Sequence, residues 1–266
     1  MSNIAKVERD LADDWRKCGI TEGDTALIHS SARRTLGRIK NAGVHPSVDI
    51  ILRSFLAAIG QDGTLLFPLF NFDFTTGIPF DIRTSPSKMG ALTEVARLYP
   101  GAVRTGHPIY SFAAIGKRAT EFEGVANFSG YGHDSPFAIL CKMNGKIASL
   151  DLSDQHSMTF YHHVEEMCGV QYRYHKKFTG PYTDAAGLTE SRTFGLFVRN
   201  IAEGVKTHVD PMGEELWRIG LYSGYRPNDG AGLRVVRARG LFDATQSVIK
   251  SGRSLGMLYR KETDNE

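Results

Sequence analysis

The sequence predicts an α/β fold, because apolar segments of strand length alternate with segments of helical periodicity. The segment TALIHSS contains an apolar run from Ala26 to Ile28 that is typical of a buried strand. Ser47 can cap the amphipathic helix that follows, and Gly60 can end it. The turn QDG then leads into a second apolar strand, TLLFPLF, so the order is strand, helix, strand.

The remaining elements continue this alternation. An amphipathic segment reaches Cys18 and is followed by the turn ITEGD, and a glycine-containing loop separates the first strand from the helix after Ser47. A further helix is expected from Ser87 or Lys88 to Leu98, closed by Pro100. SFAAIG and KIASLDL are expected to be strands, and the polar tail KETDNE is expected to fray.

Length and composition are those of an ordinary globular protein. The 266 residues could form one large domain or two small ones, and we favour a single domain over residues 1–266 because no linker is evident. The chain is 41% hydrophobic and 23% charged, which excludes extensive disorder. Its formal charge of +3 comes from scattered residues, so we expect no nucleic-acid partner, whereas small anions remain candidates.

The cysteines and the N-terminal segment favour a cytoplasmic protein. Cys18, Cys141 and Cys168 are odd in number and far apart, which indicates neither a disulfide framework nor a thiolate zinc site. The start, MSNIAKVERDLADDW, lacks the apolar stretch of a signal peptide, and no run of about 18 apolar residues occurs. We therefore expect no membrane partner.

The segment TFYHHVEE, from Thr159 to Glu166, contains the strongest chemical signal. On a helix, His162 and Glu165 lie three residues apart on one side, and so do His163 and Glu166. In either pair a carboxylate can orient an imidazole that accepts a proton. Spacing alone does not choose between the pairs, and either histidine could instead cap or pack against a neighbouring element.

Other reaction classes lack their signatures. HHVEE has the wrong order for the zinc motif HEXXH, and no three ligands at credible spacing are visible, so we expect no metal. No GxSxG elbow occurs, and Ser129 in NFSGYG has no such frame, which argues against a serine hydrolase.

Five blocks occur in order along the chain, namely GDTALIHSS, GTLLFPLFNF, SPSKMGALTEVARLYPGAVRTGHPIYSFAAIG, HDSPFAIL and TFYHHVE. Together they resemble the aminoglycoside 3-N-acetyltransferase family. They run from about residue 19 to 166, and the remainder, with KKFTG and FVRNI, is compatible with that family. The resemblance implies an acetyl-CoA-dependent N-acetyltransferase with a mixed central sheet covered by helices.

The resemblance also assigns roles in the last block. The family pattern of Thr, His and Glu, each three residues apart, falls on Thr159, His162 and Glu165. It implies His162 as general base, Glu165 as its orienting partner and Thr159 as a group that bonds or places the thioester oxygen. For His163 a packing role is favoured.

Two segments are candidates for binding coenzyme A. Arg104 and His107 lie just before a buried strand that starts at Ser111, and arginine suits the phosphates of coenzyme A. The resemblance implies that this segment approaches the cofactor, which makes all three residues candidates. His107 could equally be the first half of a His-Pro turn.

The end of the first strand is the second candidate for coenzyme binding. His29, Ser30 and Ser31, with Arg33 behind them, lie where open α/β sheets commonly bind ligands, and the family implies a cofactor contact there. Ser31 could also cap a helix.

For the acceptor amine the sequence offers less. Asp81 and Asp73 follow the second strand, where the resemblance implies an acidic residue near the acceptor, although loop aspartates commonly form solvated turns. Asp151, Leu152 and Ser153 replace a glycine-rich turn of the family, and we expect this change to affect the acceptor pocket.

The charge pattern does not single out a polycationic antibiotic as the acceptor. The last third of the chain is rich in arginine, so an amino sugar attached to a nucleotide or destined for a glycan fits at least as well as an aminoglycoside. A non-catalytic coenzyme A-binding protein is the alternative function, and the sequence is also compatible with a homodimer. The arginines are Arg192, Arg199, Arg218, Arg226, Arg234, Arg237 and Arg239.

Overall fold

A computed structural model describes residues 3–262, and the structural statements below concern this part of the chain. Short 3-10 turns occur at Asp73–Thr76, Ala119–Phe122 and Ile201–Glu203. The helices and strands are, in order, α1 (Asn3–Lys17), β1 (Thr25–Ser30), α2 (Arg33–Asn41), α3 (Val48–Ile59), β2 (Thr64–Pro68), β3 (Phe80–Asp81), α4 (Ala91–Arg97), β4 (Val103–Arg104), β5 (Phe112–Gly116), α5 (Pro136–Lys142), β6 (Lys146–Leu150), α6 (Asp154–Ser157), α7 (Phe160–Cys168), β7 (Arg173–Thr183), β8 (Thr189–Arg199), β9 (Val205–Thr207), α8 (Asp210–Arg218), β10 (Ser223–Gly224), β11 (Leu233–Arg237), α9 (Ala238–Lys250) and β12 (Tyr259–Lys261).

A seven-stranded mixed sheet forms the centre of the fold, in the order β10-β11-β6-β1-β2-β5-β4. Strand β1 pairs in parallel with both β6 and β2, and the outer strands are antiparallel to their neighbours. This confirms the α/β class and the mixed central sheet. Separate small sheets are formed by β3-β7-β8 and by β9-β12.

Helices cover both faces of the central sheet. Because side chains alternate along a strand, Leu27 of β1 enters one core while Ala26 and Ile28 enter the other. The Leu27 side is packed by α5, α7, α8 and α9, and the Ile28 side by α1, α3 and α4. None of the described helices is long and apolar enough to cross a membrane.

The local signals around α3 have the predicted effect. Ser47 accepts a hydrogen bond from the backbone N–H of Asp49 at 3.2 Å, which satisfies one free donor of the first turn. Gly60 ends the helix with a positive φ of 67°.

Two expectations about local structure need correction, and one pair of strands was missed. The loop after the first strand contains α2, whose buried residues are Thr35 and Ile39, and Ala32 rather than Ser31 precedes it without a side-chain cap. The long hairpin β7–β8 was not predicted, because its buried and exposed residues do not alternate regularly. Lys261 of the predicted frayed tail belongs to β12, and residues 263–266 lie outside the described residues.

Candidate functional site

Helix α7 contains the predicted base, and the chain reverses direction where this helix ends. Phe160, Tyr161 and Val164 bury one side of the helix in the core, which leaves His162 and Glu165 facing the start of β7. Gly169 ends the helix in the left-handed conformation, with φ 61° and ψ 42°. That reversal, which suits a residue without Cβ, brings the beginning of β7 alongside the helix.

His162 and Glu165 form a hydrogen-bonded pair. Nδ1 of His162 lies 2.8 Å from Oε2 of Glu165, and the two side chains are 17% and 1% exposed. Glu165 also accepts hydrogen bonds from Nε of Arg173 at 2.9 Å and from the hydroxyl of Tyr172 at 3.0 Å. Since Nη2 of Arg173 lies 3.4 Å from Nε2 of His162 and arginine only donates, the imidazole carries its proton on Nδ1.

The charges around this pair keep His162 neutral. Burial lowers the pKa of His162, the Arg173 guanidinium lowers it further, and Glu165 partly opposes both effects. Burial disfavours the charge of Glu165, but Arg173 and the hydrogen bond from His162 bring the net pKa of that carboxyl below its ordinary value. Near neutral pH the site therefore contains a carboxylate and an imidazole whose Nε2 can accept a proton.

His162 and Arg173 line a cleft of about 410 Å³, a volume suited to a small molecule. The aromatic ring of Tyr131 lies edge-on to the imidazole, with centroids 5.4 Å apart. The other lining residues come from the segment after β2, from the loop before β5, and from the β7–β8 hairpin and its end. They are Phe72, Thr75, Tyr110, Tyr174, Lys176, Phe178, Leu196, Phe197, Val198, Arg199 and Ile201.

The alternative pair, His163 and Glu166, is not formed. Nδ1 of His163 donates to the carbonyl oxygen of Tyr131 at 2.7 Å inside the core. Glu166 instead accepts from the hydroxyl of Ser129 at 2.7 Å and lies 3.1 Å from Nε2 of His175. The structure thus distinguishes two pairs that are equivalent in spacing.

Arg104, His107 and Ser111 are engaged within the protein. The Arg104 guanidinium donates to the hydroxyl of Ser111 at 3.1 and 3.2 Å and to the carbonyls of Ile82 and Ser85, and it lies over the ring of Phe80. All three lie outside the lining of the His162 cleft. Their contact with coenzyme A stays a prediction, and this geometry favours structural roles.

His107 uses both ring nitrogens in the backbone around it. Nδ1 accepts hydrogen bonds from the N–H groups of Ile109 and Tyr110 at 3.2 and 3.0 Å, and Nε2 lies 3.2 Å from the carbonyl oxygen of Gly195. Burial lowers the pKa of His107 to about 4. The His-Pro turn considered from sequence is therefore stabilised by the imidazole itself.

The end of β1 and the residues that follow it divide into a buried and an accessible part. His29 is buried beside Phe70, and burial, with the nearby Arg234, lowers its pKa to about 3. Ser30 and Ser31 are partly exposed at the end of the strand, and Arg33 is exposed at the start of α2. The two serines and Arg33 can therefore meet a ligand, whereas His29 is enclosed.

The remaining predicted site residues lie outside the cleft lining. Asp81 pairs with Arg83 at 2.8 Å, and this hydrogen-bonded arginine lowers the pKa of Asp81 to about 2. Asp73 pairs with Lys88, although its sequence neighbour Phe72 contacts the cleft. Thr159 precedes α7, and its carbonyl accepts the N–H of His162 at 3.0 Å.

The turn at Asp151 has a structural anchor of its own. Asp151 adopts a positive φ of 51°, and its carboxylate accepts from Nε of Arg34 at 3.0 Å and from the backbone N–H of Asn228 at 3.0 Å. Residues 151–153 do not line the His162 cleft. The expected effect of this turn on the acceptor pocket stays a prediction. The absence of residues 151–153 from the cleft lining does not favour it.

Several residues of the site were missed in the sequence. Arg173 and Tyr172 follow Glu165 by eight and seven residues, beyond the end of the helix, so helical spacing gives no sign of them. Lys176 and Phe178 are two residues apart on β7, so their side chains share one face of the strand. This spacing could have indicated one face of a hairpin.

The arginine-rich last third contributes little to the cleft, because only Arg199 lines it. Arg237 hydrogen-bonds to the carbonyl of Asn144. The others form ion pairs with neighbouring carboxylates: Arg192 with Glu190, Arg218 with Glu215, Arg226 with Glu214, Arg234 with Asp154 and Arg239 with Asp243.

The site is suited to proton removal from a bound ligand, since a carboxylate-oriented imidazole faces a ligand-sized cleft. Within residues 3–262, no three His, Cys, Asp or Glu side chains are arranged to hold a metal ion.

The chain belongs to the aminoglycoside 3-N-acetyltransferase family, which it matches over residues 27–250. This confirms the family predicted from the sequence blocks.

A curated relative is similar over part of its length. Aminoglycoside N(3)-acetyltransferase IX of Micromonospora chalcea is 26% identical over 191 residues. The match covers 63% of this chain and 63% of that protein, so the chain matches less than two thirds of the relative's length.

Solved structures share the fold over nearly the whole chain. AAC-IIIb, binary with CoASH, has a TM-score of 0.78 at 22% identity and covers 92% of this chain and 96% of its own. AAC-VIa bound to sisomicin has a TM-score of 0.75 at 20% identity, with 93% and 98% covered. At these identities the likeness establishes the fold.

Proposed function

We propose that this protein is an acetyl-CoA-dependent N-acetyltransferase that transfers acetyl directly to a primary amine of an amino sugar. The observation that carries the proposal is the His162–Glu165 hydrogen bond of 2.8 Å on the cleft wall, with Nε2 directed away from the carboxylate. Family membership supports the reaction class. The CoASH and sisomicin found in the two structural relatives are the ligand types expected here.

His162 moves the proton that the reaction must relocate. The amine enters as an ammonium ion, loses one proton to solvent, and then attacks the thioester carbonyl while its second proton passes to Nε2 of His162. The carbon–sulfur bond of the tetrahedral intermediate breaks, and the imidazolium returns that proton to the departing thiolate. Glu165 stabilises the transient imidazolium, and Arg173 keeps Glu165 ionised.

The two substrates approach the base from different sides. The amine would occupy the cleft beside His162, Tyr131 and Phe72. Acetyl-CoA would approach from the end of β1, where Ser30, Ser31 and Arg33 offer donors to phosphate or amide groups. The hydroxyl of Ser149, on the strand next to β1, donates to the hydroxyl of Ser157 at 3.0 Å. This hydrogen bond connects the sheet to the segment before Thr159. Thr159 is the residue assigned to the thioester oxygen.

A thiol-release assay tests the proposal with acetyl-CoA and a panel containing sisomicin, glucosamine and phosphorylated or nucleotide-linked glucosamine. Release that depends on an amine, with a matching acetamide in the mass spectrum, is the expected result. Inactivity on every amine would refute the transferase. Acetylated protein trapped in a quench without acceptor would refute direct transfer in favour of an acyl-enzyme.

The alternative is a non-catalytic protein that binds coenzyme A. That function would be favoured by a His162 enclosed in the core, as His163 is. His162 instead lines the cleft and keeps 17% of its side chain exposed, which favours the enzyme.

A further inference from the structure

The cleft beside His162 has an unbalanced charge. Arg173, Lys176 and Arg199 line it, whereas none of the described lining residues is Asp or Glu. The charge of Arg173 is offset by Glu165 just behind the wall. Lys176 and Arg199 have no ion-pair partner among residues 3–262, so two positive charges remain for a ligand.

The register of the hairpin places these cations on both of its faces. Arg173 and Arg199 lie directly opposite each other on β7 and β8, and Glu165 offsets the charge of Arg173. Burial and Arg173 lower the pKa of His162, and Arg199 lowers it further, so the Arg199 charge lies near the base. Lys176 lies three residues further along β7, on the other face of the strand, about 10 Å from Arg173 at the usual rise per residue. Both unpaired cations line the same cleft.

Aromatic side chains form the accessible rim of the same cleft. Phe72 is 50% exposed and Tyr174 is 48% exposed. Such faces stack on sugar rings or nucleobases, while neighbouring lysine and arginine side chains bind phosphate.

We propose that the acceptor is an amino sugar that carries a phosphate or diphosphate, and that Lys176 and Arg199 bind this group while the amine lies beside His162. This rests on the proposed function, because it assigns the cleft to the acceptor rather than to the coenzyme. A polycationic amine would meet two unpaired positive charges in this cleft and no carboxylate among the described lining residues.

Calorimetric titration of the whole chain tests this with glucosamine 6-phosphate, UDP-linked glucosamine, methyl glucosaminide and sisomicin. One charge-assisted contact corresponds to about a tenfold change in Kd, so the phosphorylated sugars should bind at least that much more tightly than the methyl glycoside. Added salt should weaken their binding. The monoester and the UDP-linked sugar distinguish a phosphate site from one that also stacks a base.

Adjacent lysines supply a matched control. Lys176→Ala and Arg199→Ala should each raise the Kd of the phosphorylated sugar about tenfold. Lys177→Ala should not, since Lys177 is exposed and does not line the cleft. Equal losses in all three variants, or equal affinity for phosphorylated and neutral sugars, would overturn the inference.

Two further results separate this inference from the proposed function. If Lys176→Ala and Arg199→Ala weaken acetyl-CoA binding and leave sugar binding unchanged, the cleft belongs to the coenzyme and the inference is wrong. A chain that binds the phosphorylated sugar but transfers no acetyl group supports the inference and refutes the transferase, whereas preferential acetylation of sisomicin does the reverse.

Discussion

His162 and His107 are both poorly exposed, and burial lowers the pKa of each, yet their surroundings differ in one decisive way. Both ring nitrogens of His107 are hydrogen-bonded to backbone groups, so neither is available to a ligand. His162 commits Nδ1 to Glu165 and directs Nε2 to a cleft, with only a 3.4 Å contact to Arg173. The number of free ring nitrogens, rather than burial or pKa, separates the two roles.

The largest effect is expected from His162→Ala. Loss of the general base should lower kcat by about 10²–10⁴-fold while coenzyme A still binds. Thiol release and calorimetry measure the two quantities. The control is His156→Ala, since His156 is exposed on the neighbouring helix α6 and contacts Ser153. Turnover of His162→Ala equal to that of the wild type would show that His162 is not the base and does not differ from His107 in function.

Acid should destabilise the fold through the buried histidines. An unfolded histidine takes up its proton near pH 6.5, whereas folded His107 does so only near pH 4 and folded His29 near pH 3. Between these values the unfolded state binds more protons, so stability falls as the pH is lowered through this window. For His107, a pKa lowered from 6.5 to about 4 corresponds to about 3 kcal/mol.

Urea unfolding at pH 7, 5.5 and 4 measures this loss. A variant in which His107 is replaced by Asn should be less stable at pH 7 but should lose less free energy of unfolding between pH 7 and 4. A free energy of unfolding that is constant over this range in the wild type would contradict the neutral, buried state of these rings.

Arg173→Gln should change the pH profile of the reaction. Removing this cation relieves the repulsion that lowers the pKa of His162 and leaves Glu165 without its closest guanidinium. The acid limb of kcat/KM should therefore move to higher pH, with lower activity near pH 6 than at pH 8. Arg173→Lys, which keeps the charge, should move it less. An unshifted limb in both variants would mean that His162 is not the group that titrates.

The smallest effect is expected from Asp81→Asn. Its carboxylate is held by Arg83 and lies outside the cleft lining, so KM for the acceptor should change less than about twofold, as is usual for substitutions away from a site. Initial rates over a range of acceptor concentrations measure it. A large rise in KM would restore the acceptor role predicted from the sequence.

The parts of the structure that were predictable are local. Ser47 and Gly60 bound α3 because capping acts within one turn, and His162 meets Glu165 because three residues bring side chains together on a helix. Helix α2 was missed because Gly37 and four basic residues obscure its short apolar stripe.

The cleft was not predictable in the same way. Its wall combines Phe72, Tyr110, Tyr131 and the β7–β8 hairpin, which are far apart in the sequence. The resemblance identified loops that bind ligands in the family, but it did not reveal that Arg104 is already hydrogen-bonded to Ser111 and to backbone carbonyls. Saturated hydrogen-bonding capacity is a property of the folded chain.

The β7–β8 hairpin belongs to a three-stranded sheet that is separate from the central one. Its cleft-facing positions Tyr174 and Lys176 are exposed, whereas Phe178 packs against the core that contains α7. Acceptor choice can therefore evolve separately from the reaction: a library randomised at Tyr174 and Lys176 should yield enzymes with new amine preferences that retain the parent's melting temperature.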